Sequence, residues 1–496
     1  MHKEWTPVAV IDIGSNAVRL VVFHDSVRVP VQLHTERTIC GLGKTLGKTG
    51  RLNPEGVTMA LGSLARFSSL IKSMKIKDVR AVATAALRDA EDGPEFVEKV
   101  EREFGLKIHV IPGEEEARLS ALGVVANHGH IDGLIGDFGG GSLELIGMKK
   151  GKITSQDSYP LGALRIMAHD TMEAREKYIR SYLDTLDLSQ YEGQRFYVLG
   201  GAWRTLARAH IYINDYPIKV LDNYRLDYKK ALEFTRHIAK QDHASLERMA
   251  GMSKRRVSDM AAAALVMKHV LKAAKPDKLV FSGSGLREGL MYDHLPSKVQ
   301  KQRPLLAGCR EIGRETSRFA ADDELQLLLR WVTPLFEDPS ESDIRSIEAA
   351  CYLSDVGWFE HEDHRARHAY FRILNLPLYG LSHKRRAMLA LAVYVRHKGY
   401  LRKLGREGGE TTVAAQKILS EHRRDEAVVL GLGMRLAYIL TGGALSLLKY
   451  TSLKMSDQTL TLEIKGRHAG ISGDIIRDLL EDIAKKRGRR AQIAQA

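Results

Sequence analysis

Residues 8–23 read VAVIDIGSNAVRLVVF and residues 134–148 read LIGDFGGGSLELIGM. Each is an apolar run ending on an aspartate, then a glycine-bearing turn, then a second apolar run. That order predicts a β-hairpin in both places. Asp12 and Asp137 hold matching positions 125 residues apart, and a hairpin repeated at that separation predicts two like-folded domains facing each other.

Working outward, further short runs rich in apolar or β-branched residues predict strands at Val79–Thr84, Ile108–Ile111, Tyr197–Leu199 and Leu279–Ser282. Between the strands, helical periodicity covers Glu55–Met74, Glu95–Phe104, Glu115–Asn127, Arg225–Gln241 and Arg256–Ala274. The alternation is that of an α/β architecture. The polar stretch Pro296–Pro304 then marks a boundary, beyond which the pattern is almost wholly helical. Helices are expected at Cys309–Ala320, Glu324–Phe336, Asp343–Leu353, Asp363–Leu374, His383–His397 and Val413–Glu421, with buried helical core at Val428–Leu448. A hairpin is expected from Thr451–Met455 and Thr459–Ile464, and the tail Lys485–Arg490 reads as a solvated or frayed end. The expected domains are therefore 1–128, 129–300 and 301–496.

A chain of 496 residues has room for about three domains. Its 44% apolar and 27% charged residues exclude a disordered or collagen-like chain. The net charge of +14 points to a polyanionic partner. Three widely spaced cysteines argue against a disulfide framework and for a reducing compartment. With no signal peptide or membrane-spanning pattern, a cytoplasmic location is expected.

Several stretches are suited to phosphate chemistry. Glycines let a turn bring successive N–H groups close to an oxyanion, and Ser15, Asn16 and Ser142 add donors around Gly139, Gly140 and Gly141. The same turns also read as ordinary hairpin connections. A carboxylate just before each turn could hold a cation such as Mg²⁺ directly or through water. Glu114, Glu115 and Glu116 open a predicted helix, where acidic residues are favoured by the helix dipole alone; equally, one of them could orient a water for attack. Thr84 and Arg88 follow a strand end, and arginine grips phosphate with a two-pronged fork. The junctions Leu199–Arg204 and Phe281–Gly289 run from strand through glycine turn to helix, which can present amides to an anion.

Taken together, DIGSN, ATAALR, GEEEAR, DFGGGSLE, LGGAWRTLA and SGSGLREGL resemble, in order and spacing, the exopolyphosphatase/guanosine pentaphosphate phosphohydrolase family. The resemblance covers residue 8 to about 294. It implies two ribonuclease H-like domains of the actin and sugar kinase superfamily around a cleft, with the repeated hairpins as two phosphate loops. It also implies that Glu115 is the general base, with Asp137 and Glu144 supporting catalysis and holding Mg²⁺. Ser15, Asn16, Thr84, Arg88 and Gly139 to Ser142 would then bind the terminal phosphates.

The helical half, through Leu353–Gly357, His361–Arg365 and Val395–His397, resembles the HD-like domain of long members. Ser354–Asp355 stands where a metal-dependent HD enzyme has His-Asp, so no second active site is expected there. No acidic residue lies between Asp363 and Glu407, a window with eleven arginines and lysines. It reads as a solvated face or as a surface for a chain of phosphates, with Lys384, Arg385, Arg386, Arg396 and Lys398 as the candidate channel.

The leading expectation is Mg²⁺-dependent, processive release of terminal phosphate from inorganic polyphosphate. Removal of the 5′ phosphate of guanosine pentaphosphate is the alternative, with guanosine tetraphosphate or pentaphosphate as further ligands. An ATP-dependent kinase or chaperone is disfavoured by GEEEAR, and a nucleic-acid binder by the lack of aromatic-interleaved motifs. Long members of the family are homodimers, and that expectation carries over with the resemblance.

Overall fold

The computed structural model describes residues 5–250, 259–318, 322–399 and 411–495. It divides into two compact units, Met1–Gln302 and Arg303–Ala496. None of the described helices is long and apolar enough to cross a membrane.

In the first unit, β1 (Val8–Ile13), β2 (Ala17–Phe23), β3 (Gln32–Ile39), β4 (Asp78–Ala83) and β5 (Ile108–Val110) form a sheet of order β3-β2-β1-β4-β5. β6 (Gly133–Phe138), β7 (Leu143–Lys149), β8 (Lys152–Tyr159), β9 (Arg195–Leu199) and β11 (Lys278–Phe281) repeat it as β8-β7-β6-β9-β11, and β10 (Tyr224–Asp227) is added on the outer edge. In both sheets the first three strands are antiparallel and the next two join in parallel, while the added β10 pairs antiparallel with β11. This duplicated order confirms the two like-folded domains that the paired hairpins predicted, and it is the ribonuclease H-like arrangement that the family resemblance implied. The sequence missed β3 and β8 because they are edge strands whose solvent-facing positions are polar. Arg225 was expected to open a helix. Instead Tyr224 and Leu226 are buried between exposed Arg225 and Asp227, the period of a strand, and the helix begins at Tyr228.

Helices α1 (Pro54–Ser73), α2 (Ala85–Asp89) and α3 (Gly93–Phe104) belong to the first lobe. Helix α4 (Gly113–His128) belongs to both. Its Ala117, Ala121 and Val124 pack with Ile135, Ile146, Tyr197 and Val280 of the second sheet. Its Leu119 packs with Val8, Val10 and Val82 of the first, together with Leu290 and Met291 of a later helix. A helix enclosed on opposite sides must be largely apolar all round, and its buried residues apart from Ser120 and Asn127 are Ala, Gly, Val or Leu. Short α5 (Ala163–Met167), then α6 (Gly201–Ile213), α7 (Tyr228–Ala239) and α8 (Met260–Ala274) complete the second lobe, and α9 (Leu286–Asp293) crosses α4. The crossing has no side chains at its centre. A Cβ on Gly123 would stand 2.1 Å from the Gly285 carbonyl oxygen, and one on Gly289 would stand 1.8 Å from that of Leu119.

The second unit is helical, with α10 (Glu341–Leu353), α11 (Glu362–Asn375), α12 (His383–Lys398), α13 (Glu421–Thr441) and α14 (Asp474–Lys486) among its helices. The expected C-terminal hairpin, β12 (Thr451–Met455) and β13 (Thr459–Ile464), is present and gains a third, parallel strand, β14 (Arg490–Gln495). The tail Lys485–Arg490 is therefore built in rather than frayed. Arg487 pairs with Glu426 and lies over Phe336, Arg489 pairs with Glu337, and Arg490 starts the strand. Cys40, Cys309 and Cys351 are free and buried.

Gly289→Ala should destabilise the full chain by about 1–3 kcal/mol in denaturant titration, because the added methyl must separate two helices. Gly62→Ala, on an exposed face of α1 with nothing within 4 Å of the new carbon, should instead stabilise it by up to about 1 kcal/mol. Equal effects of the two would contradict the packing described.

Candidate active site

The two hairpin turns have the same internal bond: Gly14 N–H donates to the Ala17 carbonyl at 3.0 Å, and Gly139 N–H to that of Ser142 at 2.9 Å. They face each other at contact distance. A Cβ on Gly141 would stand 3.0 Å from Ser15 Oγ, and one on Gly140 would stand 3.3 Å from Asn16 Cβ. The cleft between the lobes is walled by these turns, by Asp12, Asp137 and Thr84, and by Glu116. The expected phosphate-binding group Ser15, Asn16, Thr84 and Gly139 to Ser142 is thus brought together on one cleft.

Glu115 is not on that wall. Its carboxylate accepts from Arg118 at 2.7 and 2.9 Å, and Arg118 reaches on to Asp293 of α9 at 3.0 and 2.7 Å. Glu115 thus belongs to an ion-pair group tying α4 to α9. The next residue, about 100° further round the helix, is the one that turns into the cleft. The Glu116 side chain is 14% exposed and takes a hydrogen bond from Arg88 at 3.3 Å. Burial pushes its carboxyl up to about 7, with Asp137 and Asp12 adding to the rise and Arg88 opposing it. A group poised there can exist in both protonation states near neutrality, as a general base must. Of the three glutamates of GEEEAR, Glu116 and not the expected Glu115 faces the cleft, a difference of helical phase.

One turn further along α4, fully buried Ser120 donates to Asp137 Oδ2 at 2.8 Å. Asp137 is held above its ordinary range by burial, against the Ser120 bond. Glu144 sits directly opposite Asp137 across the β6–β7 pair and accepts from Ser158 at 2.9 Å. It is only 2% exposed and is absent from the cleft wall. Burial, with Glu116 and Asp137 nearby, holds it well above the carboxylate range. Glu144 thus lies behind Asp137, off the cleft wall. The residues fit a cation that is shared with substrate: Mg²⁺ commonly takes one or two carboxylates plus phosphate oxygens and water. Asp137 offers one oxygen that Ser120 does not use. Among the described residues no three acidic, histidine or cysteine side chains form a metal cage.

The equivalent position in the first lobe is an arginine, since Asp12 faces Arg19 across β1–β2. Arg19, Arg37, Arg204 and Arg287 all line the cleft. Arg287 donates to Asp12 Oδ2 at 2.9 Å, and Arg204 Nε to the Ser282 carbonyl at 2.9 Å. Burial lowers Arg19 to about 10, with Arg287 and Arg37 adding their repulsion. These four arginines were not among the expected site residues. Arg204 and Arg287 had a legible signal, standing just inside helices that follow glycine turns. Arg19 and Arg37 had none, because their place depends on pairing between strands. Arg88 donates to the Ile111 carbonyl as well as to Glu116, and lies beside Asp89.

The candidate channel in the second unit divides. Lys384 and Lys398 are exposed, and Arg385 donates to the hydroxyls of Ser346 and Ser342. Arg386 and Arg396 are buried and unsuited to a surface. Arg386 donates to the carbonyls of Ile373, Leu374 and Leu376, while Arg396 pairs with Asp355 and lies 3.9 Å from the Tyr438 ring centroid. Asp355 also takes Arg318, so the carboxylate of the HD-like motif is bound by two guanidinium groups. Arg402, Lys403 and Arg406 of the acid-free window lie outside the described residues.

Residues 20–298 match the Ppx/GppA phosphatase family, and residues 316–494 match the exopolyphosphatase C-terminal domain. The chain is 27% identical over 441 residues to retrograde regulation protein 2 of Saccharomyces cerevisiae, covering 79% of this chain and 72% of that protein. Among solved structures, a Ppx/GppA family member from Aquifex aeolicus is similar, with 27% identity and a TM-score of 0.50 over 58% of this chain and 96% of that one. An exopolyphosphatase from Cytophaga hutchinsonii shares the fold, with a TM-score of 0.53 at 24% identity over 58% and 96% of the two chains. With this match over more than half its length and a duplicated fold that places two glycine turns on one cleft, the chain belongs to the Ppx/GppA phosphatase family and, as such, is a phosphoanhydride hydrolase.

Proposed function

We propose that the protein is an exopolyphosphatase that releases terminal phosphate from inorganic polyphosphate. One observation carries the reading: a buried carboxyl, Glu116, reaches the same small cleft as two opposed glycine turns. The amides of the turns grip the terminal phosphate. Glu116 takes the proton from a water that attacks the terminal phosphorus, and the P–O bond to the rest of the chain breaks. Arg88 fixes the Glu116 carboxylate and adds positive charge beside the charge that develops in transit. Asp137 would hold Mg²⁺, which would supply charge neutralisation at the phosphates. The name of the Cytophaga neighbour supports the substrate class.

The other cleft residues favour a chain of phosphates over a guanosine. Arg19, Arg37, Arg204 and Arg287 line the same cleft as the turns. Guanidinium groups bind successive phosphates well, whereas the one ring on the cleft wall, Phe138, is 1% exposed and stacks on Trp203 in the core.

Phosphate release from long-chain polyphosphate and from guanosine pentaphosphate, measured side by side with Mg²⁺, tests this. Polyphosphate should be the better substrate, and Glu116→Gln should lower kcat about 10²- to 10⁴-fold. Glu115→Gln should cost far less. Full activity in Glu116→Gln, or preference for the nucleotide, would overturn the proposal. In wild type, kcat/KM should fall about tenfold per pH unit below the Glu116 value of about 7 and level off above it. The base must be ionised to act, so its loss is on the acid side, and a flat profile down to pH 5 would contradict the role.

A further inference from the structure

Both phosphate turns are held from behind by a second segment. In the first, the Ser15 carbonyl accepts from Gly43 N–H at 2.9 Å, and the Asn16 carbonyl accepts from Cys40 and Gly41 N–H, each at 3.0 Å. In the second, the Gly139 carbonyl accepts from Ala163 N–H at 3.1 Å, and the Gly140 carbonyl from Leu164 N–H at 2.8 Å. In a trans peptide the C=O and the next N–H lie in one plane and point in opposite directions. Capture of the Ser15, Gly139 and Gly140 carbonyls therefore turns the N–H groups of Asn16, Gly140 and Gly141 the other way. Among the described residues those three N–H groups meet no protein acceptor, although amides at such positions need one.

Gly162 shows how close the rear support lies. Its backbone, φ −72° and ψ 162°, is a conformation that any residue adopts. Glycine is required by proximity: a Cβ would stand 2.3 Å from the Gly141 carbonyl carbon and 2.4 Å from Ser142 N. Behind the first turn, a Cβ on Gly43 would stand 3.1 Å from Ser15 Cβ.

We propose that Gly162–Leu164 and Cys40–Gly43 are positioning segments: they fix the peptide planes of the two turns so that the amides point at the transferring phosphoryl group. Gly162 and Ala163 are positioning residues for hydrolysis, since neither lines the cleft. The inference rests on the reading of this cleft as the site of phosphoanhydride hydrolysis. Oriented amides count most where charge gathers in the transition state. The segments should therefore govern kcat more than KM.

Two variants of the full chain test it, with Gly62→Ala as a distant control. Gly162→Ala crowds the second turn. Ala163→Pro is the second change: residue 163 opens the helix and residue 162 is extended, both of which suit proline, while its ring carbon takes the place of the bonded hydrogen and pushes the Gly139 carbonyl away. It removes the N–H that holds the Gly139 carbonyl and no other helical bond. Both variants should lower kcat by roughly tenfold or more with KM within about twofold. Inhibition by orthovanadate, a five-coordinate phosphoryl mimic, should weaken by a similar factor. The melting temperature of Ala163→Pro should stay within a few degrees of wild type. If Gly162→Ala does not fold, Ala163→Pro decides: a folded Ala163→Pro with wild-type kcat and orthovanadate inhibition overturns the inference. If wild type itself releases no phosphate from polyphosphate, the proposed function is what has failed. Orthovanadate binding then reads the turns alone, with weaker binding in Ala163→Pro supporting the inference and unchanged binding overturning it.

Discussion

Helices α4 and α9 meet where neither has a side chain, with Gly123 against the Gly285 carbonyl and Gly289 against that of Leu119. This close crossing holds the first unit together. Helix α4 is the shared wall of both sheets, packing Leu119 on one and Ala117, Ala121 and Val124 on the other. Its first turn therefore has a fixed place between the lobes. Glu116 and Ser120, one turn apart on one face, are delivered to the cleft and to Asp137. The ion pairs from Glu115 through Arg118 to Asp293 tie the same first turn to the end of α9.

The duplicated hairpins share a backbone but differ in charge. In the first lobe the turn aspartate faces an arginine across the strand pair, and in the second it faces a glutamate. One lobe thus contributes positive charge through Arg19 and Arg287, and the other a carboxylate pair whose members are both pushed toward the protonated form. Such a cleft is under electrostatic tension on both sides: crowded arginines favour an anion, and crowded carboxyls favour a cation. On the proposed function, a phosphate chain carrying Mg²⁺ would relieve both.

Much of this could be read in the sequence where the signal was local. The hairpins around Asp12 and Asp137 each have two continuous apolar runs and a glycine turn within sixteen residues, and they identified the repeated fold. The edge strands β3 and β8, QLHTERTI and KITSQDSY, did not, since a strand bonded on one side keeps its polar residues. In GEEEAR, three consecutive glutamates carry no mark of which one faces inward; packing of α4 on two sheets decides it. The basic run in α12 misled for the opposite reason. Arg386 and Arg396 look like surface charge in a list of residues, but lie on the face of α12 where carbonyl ends and Asp355 await them. Arg19 and Arg37 become neighbours only through the register of β2 with β3.

A crystal structure of Glu116→Gln with a short linear polyphosphate and Mg²⁺ tests the central claim most directly. The account predicts the terminal phosphorus between Ser15–Asn16 and Gly139–Ser142, the side chain at 116 within reach of a water in line with it, and the remaining phosphates toward Arg204 and Arg287. A chain end bound elsewhere, or a terminal phosphate met by one turn alone with residue 116 turned away, would contradict it.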